Sequence, residues 1–131
     1  MIHVCAAVIR EKGRILVSSR PAGKAAAGKW EFPGGKMEPG ETPGECIVRE
    51  MKEELGVEVI PLDTIFDIVH VYPKGPVHLN FIRCARKEGS EPVAKEGQEF
   101  RRVMLDELCE MDFVEADIPL CALLRPGRTS V

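Results

Sequence analysis

The sequence predicts an α/β protein in which helices pack on both faces of a mixed β-sheet, an α/β/α sandwich. Alternating or continuous apolar runs predict more strands than helices. One long amphipathic segment, residues 42–55, predicts the main helix. The chain has 131 residues and no repeat, linker or low-complexity segment. We therefore expect a single domain over residues 1–131.

The first third of the chain predicts three strands. Residues 2–10 are nearly all apolar, which is typical of a central strand, and a short turn joins them to a second strand at residues 14–19. Residues 20–29 are rich in Ala and Gly and predict a loop. Residues 30–32 form a short strand that ends at Pro33-Gly34-Gly35, where glycines allow backbone geometry that a side chain would block.

The main predicted helix has clear signals at both ends. Thr42 followed by Glu45 forms a capping box, and Pro43 suits the first helical position. Gly56 is expected to end the helix. The face directed to the core is apolar and carries Ile47, Val48, Met51 and Leu55.

The rest of the chain predicts three strands and two short helices. In order, these are a strand in residues 57–71 interrupted by Pro61, a turn at 73–76, a strand at 77–85, a charged loop at 87–98, a strand at 99–104, and helices ending at 109 and 124. Asp106 and Asp117 precede the two helices, and each side chain is expected to cap its helix.

Composition excludes several classes of protein. The net charge is −3, and the sequence has no basic block of the kind that binds polymeric nucleic acid. The five cysteines form no C-x-x-C pair, which favours buried, reduced thiols over a disulfide or zinc framework. The sequence has no apolar run of membrane-spanning length and no signal-peptide pattern, so we expect a cytoplasmic protein without a membrane partner.

Three carboxylates share one face of the main helix, because Glu50, Glu53 and Glu54 stand at i, i+3 and i+4. Each like-charged pair at about 4–6 Å costs on the order of 1–4 kcal/mol. A solvated acidic face is the plain interpretation, but a hard divalent cation with oxygen ligands makes such a cluster favourable. Arg49 follows Glu45 at i+4 and is placed to pair with carboxylates and fix their rotamers.

Residues 35–57 match the pattern G-x5-E-x7-R-E-U-x-E-E-x-G-U, where U is a bulky apolar residue. The pattern resembles the signature of the Nudix hydrolase superfamily. The flanking segments at residues 30–36, 40–43 and 95–98 resemble the MutT branch, whose members are nucleoside triphosphate pyrophosphohydrolases that cleanse nucleotide pools and so support DNA repair. The resemblance extends over most of the chain and is weakest between residues 61 and 91.

This resemblance implies a Mg²⁺-dependent reaction, with Mn²⁺ as a possible substitute. Water would attack the β-phosphorus of a nucleoside triphosphate and release pyrophosphate and a nucleoside monophosphate. The implied metal ligands are the carbonyl of Gly34 and the carboxylates of Glu50, Glu53, Glu54 and Glu96. Glu53 or Glu96 is the expected general base, and Arg49 is expected to hold carboxylates of the cluster and not to touch phosphate.

Three further residues are expected at the substrate by resemblance. Arg20 matches a phosphate-contacting position, although an ordinary surface arginine is the alternative. Phe32 matches a position beside the base but could equally belong to the core. Asp117 aligns with a position that reads the base edge, where the founding MutT enzyme carries Asn. An ionised Asp only accepts hydrogen bonds, which puts guanine selectivity in doubt. A plain helix cap is the alternative for this residue.

The preferred substrate is the least determined property. The expected substrates are oxidised or modified nucleotides such as 8-oxo-dGTP, and CTP or dCTP is the main alternative. Tyr72-Pro73 lies roughly where other Nudix branches carry a Tyr or Pro, a residue typical of enzymes that act on ADP-ribose or dinucleoside polyphosphates. A non-catalytic, nucleotide-sensing domain is a fourth possibility, but such domains usually lose carboxylates that this sequence keeps. We expect a monomer or a homodimer.

Overall fold

The computed structural model describes residues 1–125 and confirms the predicted fold class. The strands of this part are β1 (Ile2–Glu11), β2 (Arg14–Ser19), β3 (Trp30–Glu31), β4 (Gly34–Lys36), β5 (Val59–Tyr72), β6 (Gly75–Arg86) and β7 (Phe100–Met104). The helices are α1 (Pro43–Leu55), α2 (Leu105–Leu108) and α3 (Ile118–Leu124), and α3 follows a 3₁₀ turn at Glu115–Asp117.

The strands form one mixed sheet with the order β3-β2-β1-β6-β5. β1 is parallel to β6, whereas the other paired strands are antiparallel. β4 pairs with β1, and β7 pairs with β2. The predicted central position of the first strand is therefore confirmed.

Two apolar clusters cover the two faces of the sheet. In β1, Cys5 and Ala7 pack with α1, whereas Ala6 and Val8 pack on the opposite face with α2 and α3. Because successive side chains of a strand point to opposite faces, a strand buried on both faces must be apolar throughout. This explains the nearly unbroken apolar run near the N-terminus.

Helix α1 has the predicted ends. The Thr42 hydroxyl accepts a hydrogen bond from the Glu45 N–H at 3.1 Å, and the Glu45 carboxylate accepts one from the Thr42 N–H at 2.9 Å. Gly56 adopts the left-handed conformation at the C-terminal end, with φ of 59°. These contacts fix where the acidic face of α1 begins and ends.

Two sequence predictions need correction. Residues 33–35 were expected only to end the preceding strand, because two glycines give no side-chain pattern, yet Gly34–Lys36 forms strand β4 and Gly35 pairs with Cys5 across the sheet. Asp106 was expected to cap α2 but lies inside it, and the capping hydrogen bond comes from the Glu107 carboxylate, which accepts from the Met104 N–H at 2.9 Å.

The predicted burial of the cysteines is confirmed for four of the five. All five thiols are free, and four of them are buried, whereas Cys109 is exposed. Within residues 1–125, no helix is long and apolar enough to cross a bilayer.

A pair of glycine substitutions tests the close approach of β4 to β1. A Cβ at Gly34 would overlap the Cys5 carbonyl oxygen, whereas a Cβ at Gly44 in α1 would meet only Pro61 Cγ, at 3.3 Å. We expect Gly34→Ala to lower the free energy of unfolding by about 1–3 kcal/mol. Gly44→Ala should change it by less than about 1 kcal/mol, because Ala also favours the helix. Urea unfolding measures both values, and equal values would contradict the close approach.

Candidate active site

Arg49 is the centre of the acidic cluster. Its Nε and Nη2 donate to the two carboxylate oxygens of Glu41 at 2.6 and 2.9 Å, a bidentate pair. Its Nη1 lies 3.2 Å from the carboxylate of Glu53 and 3.4 Å from that of Glu50. Nη2 also donates to the carbonyl oxygen of Lys36 at 3.0 Å. One guanidinium therefore ties α1 to the segment before it.

The main partner of Arg49 differs from the one that helical spacing suggested. Glu45, at i−4, is used by the capping box, and Glu41 takes its place from outside the helix. Bonding to Arg49 lowers the pKa of the Glu41 carboxyl to about 2. The same bond raises the pKa of Arg49 above its usual range, so this pair stays ionised at any working pH.

The pKa values of Glu50 and Glu54 are shifted in the opposite direction from that of Glu41. Burial raises the pKa of both carboxyls, to about 8 for Glu54, and the fields of Glu50, Glu31 and Glu96 act in the same direction on Glu54. Arg49 partly offsets the effect on Glu50. Within residues 1–125, no Lys, Arg or His forms an ion pair with Glu54. The site thus has excess negative charge.

The carboxylate oxygens of this cluster suit a hard divalent cation. The oxygens of several carboxylates are the ligands that Mg²⁺ prefers, and a cation would relieve the repulsion around Glu54. In the part of the chain that the structure describes, however, no three His, Cys, Asp or Glu side chains converge closely enough to form a finished metal site. Mg²⁺ commonly binds through one or two carboxylates with waters and substrate phosphates, so these side chains still fit such an ion.

Gly35 is needed for the position of Glu50. A Cβ at residue 35 would overlap the Glu50 carboxylate, so only glycine lets this side chain approach the backbone of β4. The neighbouring backbone of Gly34 faces Glu54 and lowers its pKa slightly against the other effects. The two glycines thus lie beside two of the predicted ligands.

Glu96 reaches the cluster through a loop fixed to the end of α1. The Glu96 N–H donates to Gln98 Oε1 at 2.9 Å, and Gln98 Nε2 donates to the Glu54 carbonyl oxygen at 3.0 Å. The Val93 N–H donates to the Leu55 carbonyl oxygen at 2.7 Å. Sequence reasoning had assigned no role to Gln98, and a buried amide of this kind leaves no periodic signal.

Asp117 does not cap α3 as predicted. Its side chain makes no capping hydrogen bond, and instead Oδ2 accepts from the Phe32 N–H at 2.9 Å. Asp117 is only 3% exposed, and burial raises its pKa to about 7, opposed by the Phe32 hydrogen bond.

Phe32 and Arg20 both influence Asp117, Phe32 through its backbone hydrogen bond and Arg20 through its charge. The Phe32 ring is 2% exposed and packs against Phe81 and Phe113, with ring centroids 5.9 and 5.4 Å away, so its side chain is part of the core and only its backbone reaches Asp117. The Arg20 guanidinium lies 3.5 Å from the Glu31 carboxylate.

Glu31, like Gln98, is a site residue to which the sequence assigned no role. It is half-buried on β3, pairs with Arg20, and its charge raises the pKa of both Glu54 and Asp117. Tyr72 also lies within the electrostatic reach of Asp117, Arg20 and Glu31. Glu31 is therefore within electrostatic reach of both the acidic face of α1 and the buried Asp117.

Comparisons with known proteins agree with this geometry. A family model described as the NUDIX domain matches residues 1–123. An 8-oxo-dGTP diphosphatase of Escherichia coli K12 is 36% identical over 125 residues, with 95% of this chain and 96% of the relative covered. A CTP pyrophosphohydrolase of the same organism is 53% identical, but over only 58 residues, 44% of this chain and 43% of the relative.

Solved structures give the same result. The E. coli ORF135 protein superposes with a TM-score of 0.81 at 34% identity, covering 97% of this chain and 94% of that one. The MutT protein of Methanosarcina mazei Go1 superposes with a TM-score of 0.82 at 26% identity, covering 94% and 91%. The chain belongs to the Nudix family and is a MutT-like hydrolase.

Proposed function

We propose that the chain, as one domain over residues 1–131, is a Mg²⁺-dependent nucleoside triphosphate pyrophosphohydrolase. It hydrolyses oxidised or modified nucleotides such as 8-oxo-dGTP to a nucleoside monophosphate and pyrophosphate, as a monomer or homodimer in the cytoplasm, without a polymeric nucleic acid partner. The observation that carries the proposal is the carboxylate face of α1, held by Arg49. The buried Asp117 supports it, because Glu31 is within electrostatic reach of both Asp117 and Glu54. The 8-oxo-dGTP diphosphatases among the relatives support the substrate.

The roles of the carboxylates follow from their surroundings. A bound divalent cation supplies charge neutralisation for the phosphates and lowers the pKa of a water. Glu50, Glu53, Glu54 and Glu96, with the Gly34 carbonyl, are the proposed ligands, because the fields of these carboxylates overlap and Glu54 has no ion-pair partner within residues 1–125. Glu53 is half exposed and can accept a proton from water, so it joins Glu96 as a candidate general base.

Arg49 and Arg20 have different proposed roles. The Arg49 fork is fully occupied by carboxylates and a backbone carbonyl, which supports a positioning role and not phosphate binding. Arg20 has one weak ion pair, to Glu31, and could exchange it for a phosphate. Phe32 is proposed to act through its backbone, because its N–H fixes the Asp117 carboxylate.

The raised pKa of Asp117 weakens the argument that this residue disfavours guanine nucleotides. With a pKa of about 7, a substantial fraction of this side chain is neutral near pH 7 and can donate as well as accept a hydrogen bond. A neutral Asp can therefore present the same pair of groups as Asn. The substitution of Asp for Asn does not by itself exclude a guanine nucleotide.

CTP or dCTP is the second candidate substrate. The observation that favours it is the 53% identity with a CTP pyrophosphohydrolase over 58 residues. An ionised Asp117 could accept a hydrogen bond from the cytosine amino group. ADP-ribose and dinucleoside polyphosphates lack a comparable supporting observation, and a non-catalytic role is disfavoured because every predicted carboxylate is present.

The direct test is release of pyrophosphate with Mg²⁺ across a panel of nucleotides. The panel contains 8-oxo-dGTP, dGTP, CTP, dCTP and 5-methyl-dCTP, with ADP-ribose and a dinucleoside polyphosphate as controls. We expect the highest kcat/KM for 8-oxo-dGTP and no activity after chelation of the metal. Release of orthophosphate in place of pyrophosphate would contradict the proposed reaction, and a preference for CTP would select the second candidate.

Removing one charge from the cluster should abolish activity without unfolding the protein. Gln keeps the shape of Glu but binds Mg²⁺ poorly, so Glu53→Gln and Glu54→Gln should each lower kcat/KM by at least about a hundredfold. Loss of repulsion should leave the metal-free Glu54→Gln variant at least as stable as the wild type. Glu110→Gln, which removes an exposed charge in the turn after α2, is the matched control. Normal turnover in either cluster variant would exclude the assignment.

The buried carboxyl of Asp117 should make the free energy of unfolding depend on pH. Its pKa is about 7 in the folded chain and near 4 when unfolded, so folding retains the proton between these values. The free energy of unfolding should then fall by up to about 4 kcal/mol as pH rises from about 4 to about 7. Asp117→Asn cannot ionise, so the variant should gain stability relative to the wild type over this range. A pH-independent difference between the two would contradict the raised pKa.

Substitution of Asp117 should alter the choice of base more than the rate on the best substrate. An unpaired base donor in a closed site costs about 1–3 kcal/mol, or about ten- to a hundredfold in specificity. Asp117→Asn should shift the preference between guanine and cytosine nucleotides, and Asp117→Ala should reduce it. The kcat/KM of each nucleotide in the panel measures the effect. One common factor for all substrates would mean that Asp117 is only structural.

A further inference from the structure

Two of the three histidines of the chain meet at the start of two neighbouring strands. His3 and His78 are direct partners in the parallel pairing of β1 with β6. Their Nδ1 atoms lie 3.1 Å apart, and the rings are nearly perpendicular, with centroids 5.2 Å apart. On the other side of His78, Nε2 lies 2.8 Å from Asp67 Oδ2 on β5. Three adjacent strands thus contribute one side chain each.

The carboxylate of Asp67 determines which nitrogen of His78 can bind a ligand. An ionised carboxylate only accepts hydrogen bonds, so Nε2 of His78 carries a proton. In the neutral imidazole, Nδ1 then has a free lone pair directed at His3. Metal-binding histidines commonly have this arrangement, in which the second ring nitrogen donates to a carboxylate that fixes the ring and raises its basicity.

The distance between the two Nδ1 atoms suits a shared metal ion. Two imidazole nitrogens at about 2.0–2.1 Å from a tetrahedral zinc ion are about 3.4 Å apart, close to the 3.1 Å observed. In the metal-free pair, the short contact requires a proton on His3 Nδ1. When a metal binds, that proton moves through solvent to Nε2 of His3, so both rings stay neutral and no proton is lost.

We propose that His3 and His78 form a transition-metal site for Zn²⁺, Ni²⁺ or Cu²⁺, with Asp67 orienting His78. These ions bind well to imidazole nitrogen, whereas Mg²⁺ prefers oxygen ligands. His3 is exposed, so water can complete the coordination sphere. The site shares no ligand with the carboxylate cluster, and it would link β1 to β6 directly. It does not depend on the proposed reaction.

The test is an NMR titration of the histidine rings with Zn²⁺. The protein is ¹⁵N-labelled, carries Cys109→Ser to remove the exposed thiol, and is held in saturating Mg²⁺ to occupy the carboxylates. Long-range ¹H–¹⁵N spectra report each ring nitrogen separately. We expect the Nδ1 signals of His3 and His78 to shift together and to saturate at one equivalent of Zn²⁺, with no change on adding Mg²⁺ alone. The third histidine, His70, should not respond.

Variants assign the site, and zinc affinity is measured by calorimetry under the same conditions. His78→Asn should abolish the binding, and Asp67→Asn should weaken it about 10- to 100-fold without changing the stoichiometry. His70→Asn is the matched control and should bind like the parent protein. The proposal is overturned if neither Nδ1 signal of the pair responds in the parent protein, or if His78→Asn binds zinc with unchanged affinity.

Discussion

The ion pairs of Arg49 are the constraint on which the candidate site depends. Three carboxylates on one helical face would otherwise spread into solvent or take up protons. The guanidinium is planar and always charged, so it can hold Glu41 in a bidentate pair and still contact Glu50 and Glu53. It draws the cluster together at one end and leaves Glu54, whose pKa is raised to about 8, without an ion-pair partner within residues 1–125. Arg49 therefore holds the carboxylates in place, and a divalent cation would stabilise the cluster further.

Backbone geometry brings the rest of the site to this helix. β4 approaches β1 so closely that no side chain fits at Gly34, and Glu50 occupies the space that a side chain at Gly35 would need. The loop that carries Glu96 is fixed to the last turn of α1 through Gln98. β4 and the loop that carries Glu96 are thus both positioned against α1.

The sequence predicted the features that periodicity and local signals encode. Helix α1, its capping box and the alternating burial of β1 follow from residues that are near one another in the chain. The acidic face was predictable for the same reason. β4 was not, because glycines carry no pattern, and the function of Asp117 as the partner of Phe32 depends on a contact across 85 residues. Glu31 was missed because its neighbours are set by the sheet and not by spacing.

The measurement that tests the role of Arg49 most directly is the binding of Mn²⁺ and of a non-hydrolysable triphosphate to Arg49→Lys. Lys keeps the charge but cannot form the bidentate pair with Glu41. We expect Mn²⁺ affinity, followed by electron paramagnetic resonance, to fall about 10- to 100-fold because the ligands lose their positions. The affinity for the triphosphate without metal should barely change. A large loss of triphosphate affinity with normal Mn²⁺ binding would show that the arginine touches substrate and would contradict this account.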